Sequence, residues 1–182
     1  MRNLSTLAWR VYDAPTKPWH GVVADTEGDD SVYVMRVERR DGVSQLTLAH
    51  ITPTGTEELA VLEVASAPPH VPDVADFRLL ADGGSSVNHM PAICVIGSGG
   101  DIVLMPVDEE ASAPAEVVGS VDQGILAAAW SPEEDVLVLI TGGEKRLIVM
   151  TREFEVMSET MLSTEAFGDD QPVNVGWGSK ST

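Results

Sequence analysis

The apolar residues of this chain occur in short runs of about five to eight, separated by clusters of Gly, Asp, Pro or Ser. Few segments repeat apolar residues at the i, i+3, i+4 spacing of a helix, whereas short runs bounded by turn residues are typical of strands. The pattern therefore predicts an all-β chain. The predicted strands are Ser31–Glu38, Ser44–Ile51, Glu58–Ala65, Phe77–Leu80, Ala92–Gly97, Ile102–Val107, Gly119–Val121, Ile125–Ser131, Val136–Thr141, Leu147–Thr151, Phe154–Met161 and Val173–Trp177.

Glycine-containing turns connect several of these runs. Asp41-Gly42 lies between two alternating runs and predicts a tight hairpin. The segments 97–101 and 142–145 connect strands in the same way. Because 97–101 leads into the strand at Ile102 and not into a helix, it is predicted to be a hairpin turn rather than a phosphate-binding loop.

The predicted strands repeat along the chain. A glycine pair followed by a short aliphatic strand ending in Met occurs at 99–105 and again at 142–150. Aromatic residues mark corresponding positions at Phe77, Trp130 and Trp177, with spacings of 53 and 47 residues. This is about the length of one four-stranded propeller blade with its loops.

The burial expected of two strands separates a propeller from a two-sheet sandwich. Both alternating sets of side chains are apolar in 125–130, and 136–140 is apolar throughout, so neighbouring sheets are expected on both faces. The alanine-rich strand Ile125–Ser131 is predicted to lie innermost, and the charged strand Phe154–Met161 to lie outermost and partly wet. A buried strand pair in another all-β fold is the alternative. A sandwich would leave half of residues 125–130 open to water.

The chain length limits the number of blades. At about 50 residues per blade, 182 residues supply about three and a half four-stranded blades, and closed propellers have about four to eight. Residues 1–182 are therefore expected to form an incomplete β-propeller. Either they begin a longer chain, which the strand predicted at Val173–Trp177 favours, or partners complete the sheet. Alone, the segment is expected to expose strand edges and to be poorly soluble.

The charge of the chain excludes several classes of function. Eleven basic against 29 acidic residues give a net charge of −18, which disfavours direct binding of nucleic acid, tRNA included.

The single cysteine, Cys94, cannot form an internal disulfide, and four scattered histidines offer no thiol partners for zinc. No secretory signal or membrane-spanning run is visible, so a soluble intracellular protein without a membrane partner is expected.

No catalytic, cofactor-binding or metal-binding residue is predicted, and an enzyme is not expected. The acidic pairs at 29–30, 109–110, 133–134 and 169–170 lie in predicted loops without the spacing of a calcium loop. No G-x-S-x-G elbow surrounds a serine, although residues distant in sequence can still meet in space. The basic pairs Arg39-Arg40 and Lys145-Arg146 are interpreted as solvated turns, with a partner-binding patch as the alternative.

The segment 130–134, Trp-Ser-Pro-Glu-Glu, is the most informative motif. An aromatic residue that ends a strand, followed by Ser, Pro and acidic residues, predicts a turn in which Pro132 fixes φ and the flanking Ser and Glu cap it. The same element punctuates the blades of WD40-type proteins. It indicates architecture and not chemistry.

From Gly119 onward the chain resembles the N-terminal propeller region of a known family, that of the largest subunit of the eukaryotic Elongator complex, the Elongator complex protein 1 or IKI3/IKAP family. The stretches that carry the resemblance are 124–134, 137–142, 147–154, 167–168 and 173–180, with weaker similarity at 1–4 and 100–104. The chain departs from the family at a glycine near 97–100, at the acidic loop 108–115, and at its last three residues.

This resemblance implies a non-catalytic scaffold in the complex that modifies the wobble uridine of certain tRNAs with carboxymethyl-type groups at carbon 5. It implies residues 1–182 as the N-terminal part of a first WD40-type propeller, with other Elongator subunits as partners. Homodimerisation and a basic tRNA-contacting segment belong to regions of the family absent here. A cytoplasmic location is expected, with the nucleus as a second option. The alternative is a generic WD40-type peptide-binding adaptor of another complex.

Overall fold

The computed structural model describes residues 20–25, 30–68, 71–80, 91–107, 114–163 and 174–178, and these form strands and turns without a helix. The all-β prediction is confirmed. The strands are β1 (Gly21–Ala24), β2 (Val32–Arg40), β3 (Val43–Thr52), β4 (Gly55–Ala65), β5 (Val74–Leu80), β6 (Ala92–Gly97), β7 (Asp101–Pro106), β8 (Glu116–Ser120), β9 (Ile125–Trp130), β10 (Val136–Thr141), β11 (Arg146–Thr151) and β12 (Val156–Met161).

Several predicted strands differ from the structure: β5 begins at 74 and not 77, β8 spans 116–120 and not 119–121, and β12 begins at 156 and not 154. The strand predicted at Val173–Trp177 is wrong for residues 174–177, which pair with no strand of the described ranges, and residue 173 lies outside them. Glycines at 176 and 178 disfavour an extended ladder there. Conversely, β1 was not predicted, because its four residues form too short an apolar run to stand out.

The strands form three four-stranded antiparallel sheets in simple meander order, β1 to β4, β5 to β8 and β9 to β12. We refer to them as the first, second and third sheet. The first strand of each sheet lies beside the first strand of the next, so that β1 contacts β5 and β5 contacts β9. Three sheets that meet along their first strands are the blades of an open, incomplete β-propeller. The prediction that Ile125–Ser131 supplies an innermost strand and Phe154–Met161 an outermost one is confirmed.

The second sheet shows why both alternating sets of side chains are apolar. All six residues of β6 are buried. One face of this sheet, with Ile93 and Met105, packs on the first sheet, and the opposite face, with Cys94 and Ile102, packs on the third. In β9 no residue is exposed, whereas a sandwich would have left half of that strand open to water.

The tight turn between β2 and β3 follows from its sequence. Asp41 and Gly42 both have positive φ, 49° and 87°, as a type I′ hairpin turn requires. The turns at 97–101 and 142–145 likewise join consecutive antiparallel strands, as predicted, and each leads into a strand.

Candidate functional site

The aromatic marker residues lie at the seams between sheets. The ring of Phe77 covers Gly21 of β1 so closely that a Cβ on that glycine would lie 2.6 Å from Phe77 Cδ1. Trp130, 2 % exposed, is buried between the third and second sheets. Trp177 donates its indole N–H to the carbonyl of Ala129 in β9, at 3.4 Å. Each marker therefore packs against the sheet that precedes it in the chain.

Polar contacts also cross the seams. Ala65 at the end of β4 donates its N–H to Asp101 Oδ2 of β7 at 2.7 Å. Beside this bond, Gly99 approaches the first sheet so closely that a Cβ would lie 2.0 Å from the carbonyl oxygen of Ala65. Ile125 donates its N–H to the carbonyl of Ser98 at 3.1 Å and so ties the third sheet to the second. These backbone contacts fix the angle between neighbouring sheets.

The turn after Trp130 is capped by Ser131, as predicted, but its acidic partner differs from the one expected. Ser131 Oγ donates to Asp135 Oδ1 at 2.5 Å and accepts the backbone N–H groups of Asp135 and Val136, both at 3.1 Å. The acidic partner is thus Asp135 and not a glutamate, while Glu134 takes the left-handed φ of 59° that closes the turn. The motif is architectural, as predicted.

A buried polar cluster that the sequence analysis did not identify lies at the seam between the second and third sheets. Burial raises the pKa of the Asp76 carboxyl, and the charge of Arg78 opposes the rise only partly. Oδ2 of Asp76 is buried and receives no hydrogen bond from the described ranges. Burial, reinforced by the charge of Asp76, raises the pKa of the Cys94 thiol. The thiol is therefore neutral and fully enclosed, which is unsuitable for a nucleophile.

A serine, a histidine and an aspartate meet at the edge of the first sheet. Ser31 Oγ donates to Asp25 Oδ2 at 2.7 Å, and His50 Nε2 lies 3.4 Å from the same oxygen, with the imidazole stacked on Tyr33. A catalytic triad needs the hydroxyl to donate to the imidazole. Here the Ser31 hydroxyl donates to the Asp25 carboxylate, so the three residues connect the end of β1 to β2 and β3, and the serine is not activated.

The basic pairs are engaged in ion pairs. Arg39 donates to Asp73 Oδ1 at 2.6 Å and to the carbonyl of Val71 at 3.2 Å, which joins the first sheet to the entry of the second. Arg146 pairs with Glu144 and with Glu159, and hydrogen bonding to Glu159 raises the pKa of the guanidinium. The structure favours the interpretation as turns, since these guanidinium groups are already neutralised.

The described ranges hold no group of three or more His, Cys, Asp or Glu side chains placed to bind a metal ion. Of the acidic pairs, 109–110 and 169–170 and residue 29 lie outside the described ranges, and 133–134 lies in the capped turn. No helix of the described residues is long and apolar enough to cross a membrane.

The most distinctive surface in the described ranges is the outer strand of the third sheet. All six residues of β12 are exposed. Val156, Met157 and Met161 expose 58 %, 61 % and 66 % of their surface, a concentration of exposed apolar side chains that β4 and β8 do not match. Apolar strands at an open sheet edge are candidate sites of protein binding.

Comparison with known proteins gives a consistent result. The family model described as "ELP1 first N-terminal beta-propeller" matches residues 1–182. Elongator complex protein 1 of Mus musculus is 30% identical over 100% of this chain, which covers 13% of that protein. Elongator complex protein 1 of Schizosaccharomyces pombe is 42% identical over 50% of this chain, which covers 7% of that protein.

Proposed function

Because this chain belongs to the family of the first N-terminal β-propeller of ELP1, we propose that it is a non-catalytic scaffold region of an Elongator subunit. The chain spans about an eighth of the mouse relative, so the proposal concerns the part that this region plays in a larger protein. The observation that carries it is the architecture. Stacked sheets with apolar seams present outer strands and turns to partners.

The chemistry of the seams supports a scaffold and not a catalyst. The Cys94 thiol is buried and neutral, and the Ser31 hydroxyl donates to a carboxylate. Both lack the paired base that nucleophilic catalysis uses. In the proposed role, the modification of the tRNA wobble uridine is carried out by another subunit, and this region contributes through protein contacts.

The charge of the chain also supports a role in protein contacts and not in tRNA binding. A net charge of −18 repels a phosphate backbone, so we propose that tRNA is bound by other parts of the assembly. We further propose a cytoplasmic location, with the nucleus as a second compartment. Incubation of residues 1–182 with tRNA at physiological salt is expected to give no shift in a gel. A clear shift would overturn this part of the proposal.

Co-purification tests the assignment directly. The tagged full-length protein is expected to bring down other Elongator subunits, and its removal from cells is expected to reduce carboxymethyl-type wobble uridines in tRNA. If no Elongator subunit co-purifies, the proposal fails. A generic WD40-type peptide-binding adaptor is then the function that the same propeller surface supports best.

A further inference from the structure

Val156, Glu159 and Met161 of β12 lie on the side of the third sheet that faces the second sheet. In an antiparallel pair, directly opposed residues share a face. Val156 is opposite Met150, and Glu159 is opposite Ile148. Met150 and Ile148 are both buried in the seam with the second sheet. The absence of a described sheet on the other face of the third sheet therefore does not explain why Val156 is exposed.

The apolar seam ends before it reaches β12. Its buried residues come from β5, β6 and β7 of the second sheet and from β9, β10 and β11 of the third. The second sheet ends in the short strand β8, of which only Val118 packs partly against this core. Among the described residues, β12 therefore offers apolar side chains together with a strand edge that pairs with no further strand.

The three outer strands differ in how their edges are protected. Natural sheets discourage edge pairing with charged side chains. The outer strand β4 carries Glu57, Glu58 and Glu63. In β12, Glu159 is the single charge, and Arg146 binds its carboxylate at 2.7 Å. The outer strand β8 also carries one charge, Glu116, but in five residues, so β12 has the lowest proportion of charged residues of the three.

The charges next to β12 are mixed but acidic in sum, since Glu144, Glu153, Glu155 and Glu159 outnumber Lys145, Arg146 and Arg152. Glu153 and Glu155 precede the strand and are exposed, and Glu116 at the start of β8 is exposed on the neighbouring sheet. Glu116 is opposite Leu104, which is buried in the same seam, so its carboxylate lies on the side that faces β12. A basic segment would be attracted to these groups and to a chain of net charge −18.

We propose that β12 is a docking strand to which an extended segment of another protein, rich in Lys and Arg, adds as a further strand, with its apolar side chains on Val156 and Met161. Main-chain hydrogen bonds to the open edge provide affinity, and the apolar and acidic side chains provide selectivity. The proposal rests on the proposed function, since it names the surface by which this scaffold region holds one of its partners.

Charge variants of the full-length protein in its assembly test the docking strand. The double variant Val156→Lys, Met161→Lys places two cations on the edge and is expected to reduce retention of one partner about tenfold or more. The matched Val156→Glu, Met161→Glu variant alters the same two positions but attracts a basic segment, and it is expected to retain that partner within about threefold. Val61→Lys on β4, where the native side chain is 46 % exposed, is the control and is expected to change nothing.

A photoreactive side chain identifies what lies on the strand. Met161→p-benzoylphenylalanine is expected to cross-link to a Lys- and Arg-rich segment of another subunit, mapped by mass spectrometry. A cross-link only to a second copy of the chain, or none at all, overturns the proposal. So does equal retention, or equal loss, in the Lys and Glu double variants.

The same experiment separates this proposal from the proposed function. If the wild-type protein brings down no Elongator subunit, the proposed function fails. If the wild-type protein brings down the subunits and the Lys double variant retains all of them, only the docking strand fails. Thermal melts of each variant monitored by circular dichroism are expected to match the wild type, because the substituted side chains are between 46 % and 66 % exposed.

Discussion

Replacement of Trp130 by alanine should destabilise the third sheet more than any change on the surface. The indole is 2 % exposed, and its ring meets Phe154 edge-on with centroids 5.9 Å apart. The surrounding side chains stand on paired strands that cannot collapse into the space, so a loss within the usual range for a buried Trp→Ala change, about 3 to 5 kcal/mol, is expected. Since 1.36 kcal/mol is a factor of ten, unfolding becomes roughly two to four orders of magnitude more frequent.

Hydrogen–deuterium exchange measures this loss sheet by sheet. Amides of β10 and β11 that exchange through unfolding should accelerate by that factor in Trp130→Ala, while amides of the first sheet should accelerate much less. Trp177→Ala is the matched control, because Trp177 is half-exposed and makes one long hydrogen bond. An acceleration below tenfold, or an equal effect of the two changes, would refute the role assigned to Trp130 as the seam residue.

Three further substitutions test other parts of the argument. In Asp76→Asn the group whose pKa is raised on folding is removed. Since the wild type must lose stability as pH rises from the carboxyl's ordinary value of 3.8 through its higher folded pKa, the variant should melt higher than the wild type at pH 7 and the gap should shrink toward pH 3. A variant that melts lower at pH 7 would show that the carboxylate is net stabilising. Gly99→Ala should lower the melting temperature because its Cβ would meet the carbonyl of Ala65, whereas Gly55→Ala, which meets nothing within 4 Å, should be nearly neutral; equal melting temperatures would contradict the close seam. Ser131→Ala removes one donated and two accepted hydrogen bonds and should cost about 1 to 3 kcal/mol in urea unfolding, and no measurable loss would mean that Pro132 and the backbone hydrogen bonds suffice to hold the turn.

The all-β architecture could be predicted because it follows from local patterns in the sequence. Short apolar runs and turns such as Asp41-Gly42 define the strands, and two-sided apolar strands such as 136–140 require neighbours on both faces. The interval between Phe77 and Trp130 then sets the size of one sheet. These signals depend on residues close together in the sequence, and the structure confirms them.

The remaining features depend on which residues meet across a seam, and no local pattern encodes that. Asp76 looks like any polar residue of a strand until Cys94 and the third sheet bury it. The exposure of β12 depends on where the seam with the neighbouring sheet ends. The segment 174–178 resembles a strand in sequence, but a strand also needs a paired ladder. The interaction surface was therefore not located from sequence alone.

The order in which the aromatic residues pack has a consequence for biosynthesis. Phe77 packs on the inner strand β1 of the first sheet, which is synthesised before it. Trp130, 53 residues later, packs on the second sheet in the same way. The first sheet ends at Ala65 and the second at Ser120, so these aromatic residues follow 12 and 10 residues later, which is a wait of roughly 0.5 to 2.5 s at about 5 to 20 residues translated per second. Each blade that has just been synthesised therefore keeps an uncovered apolar face only until the aromatic residue of the next sheet emerges.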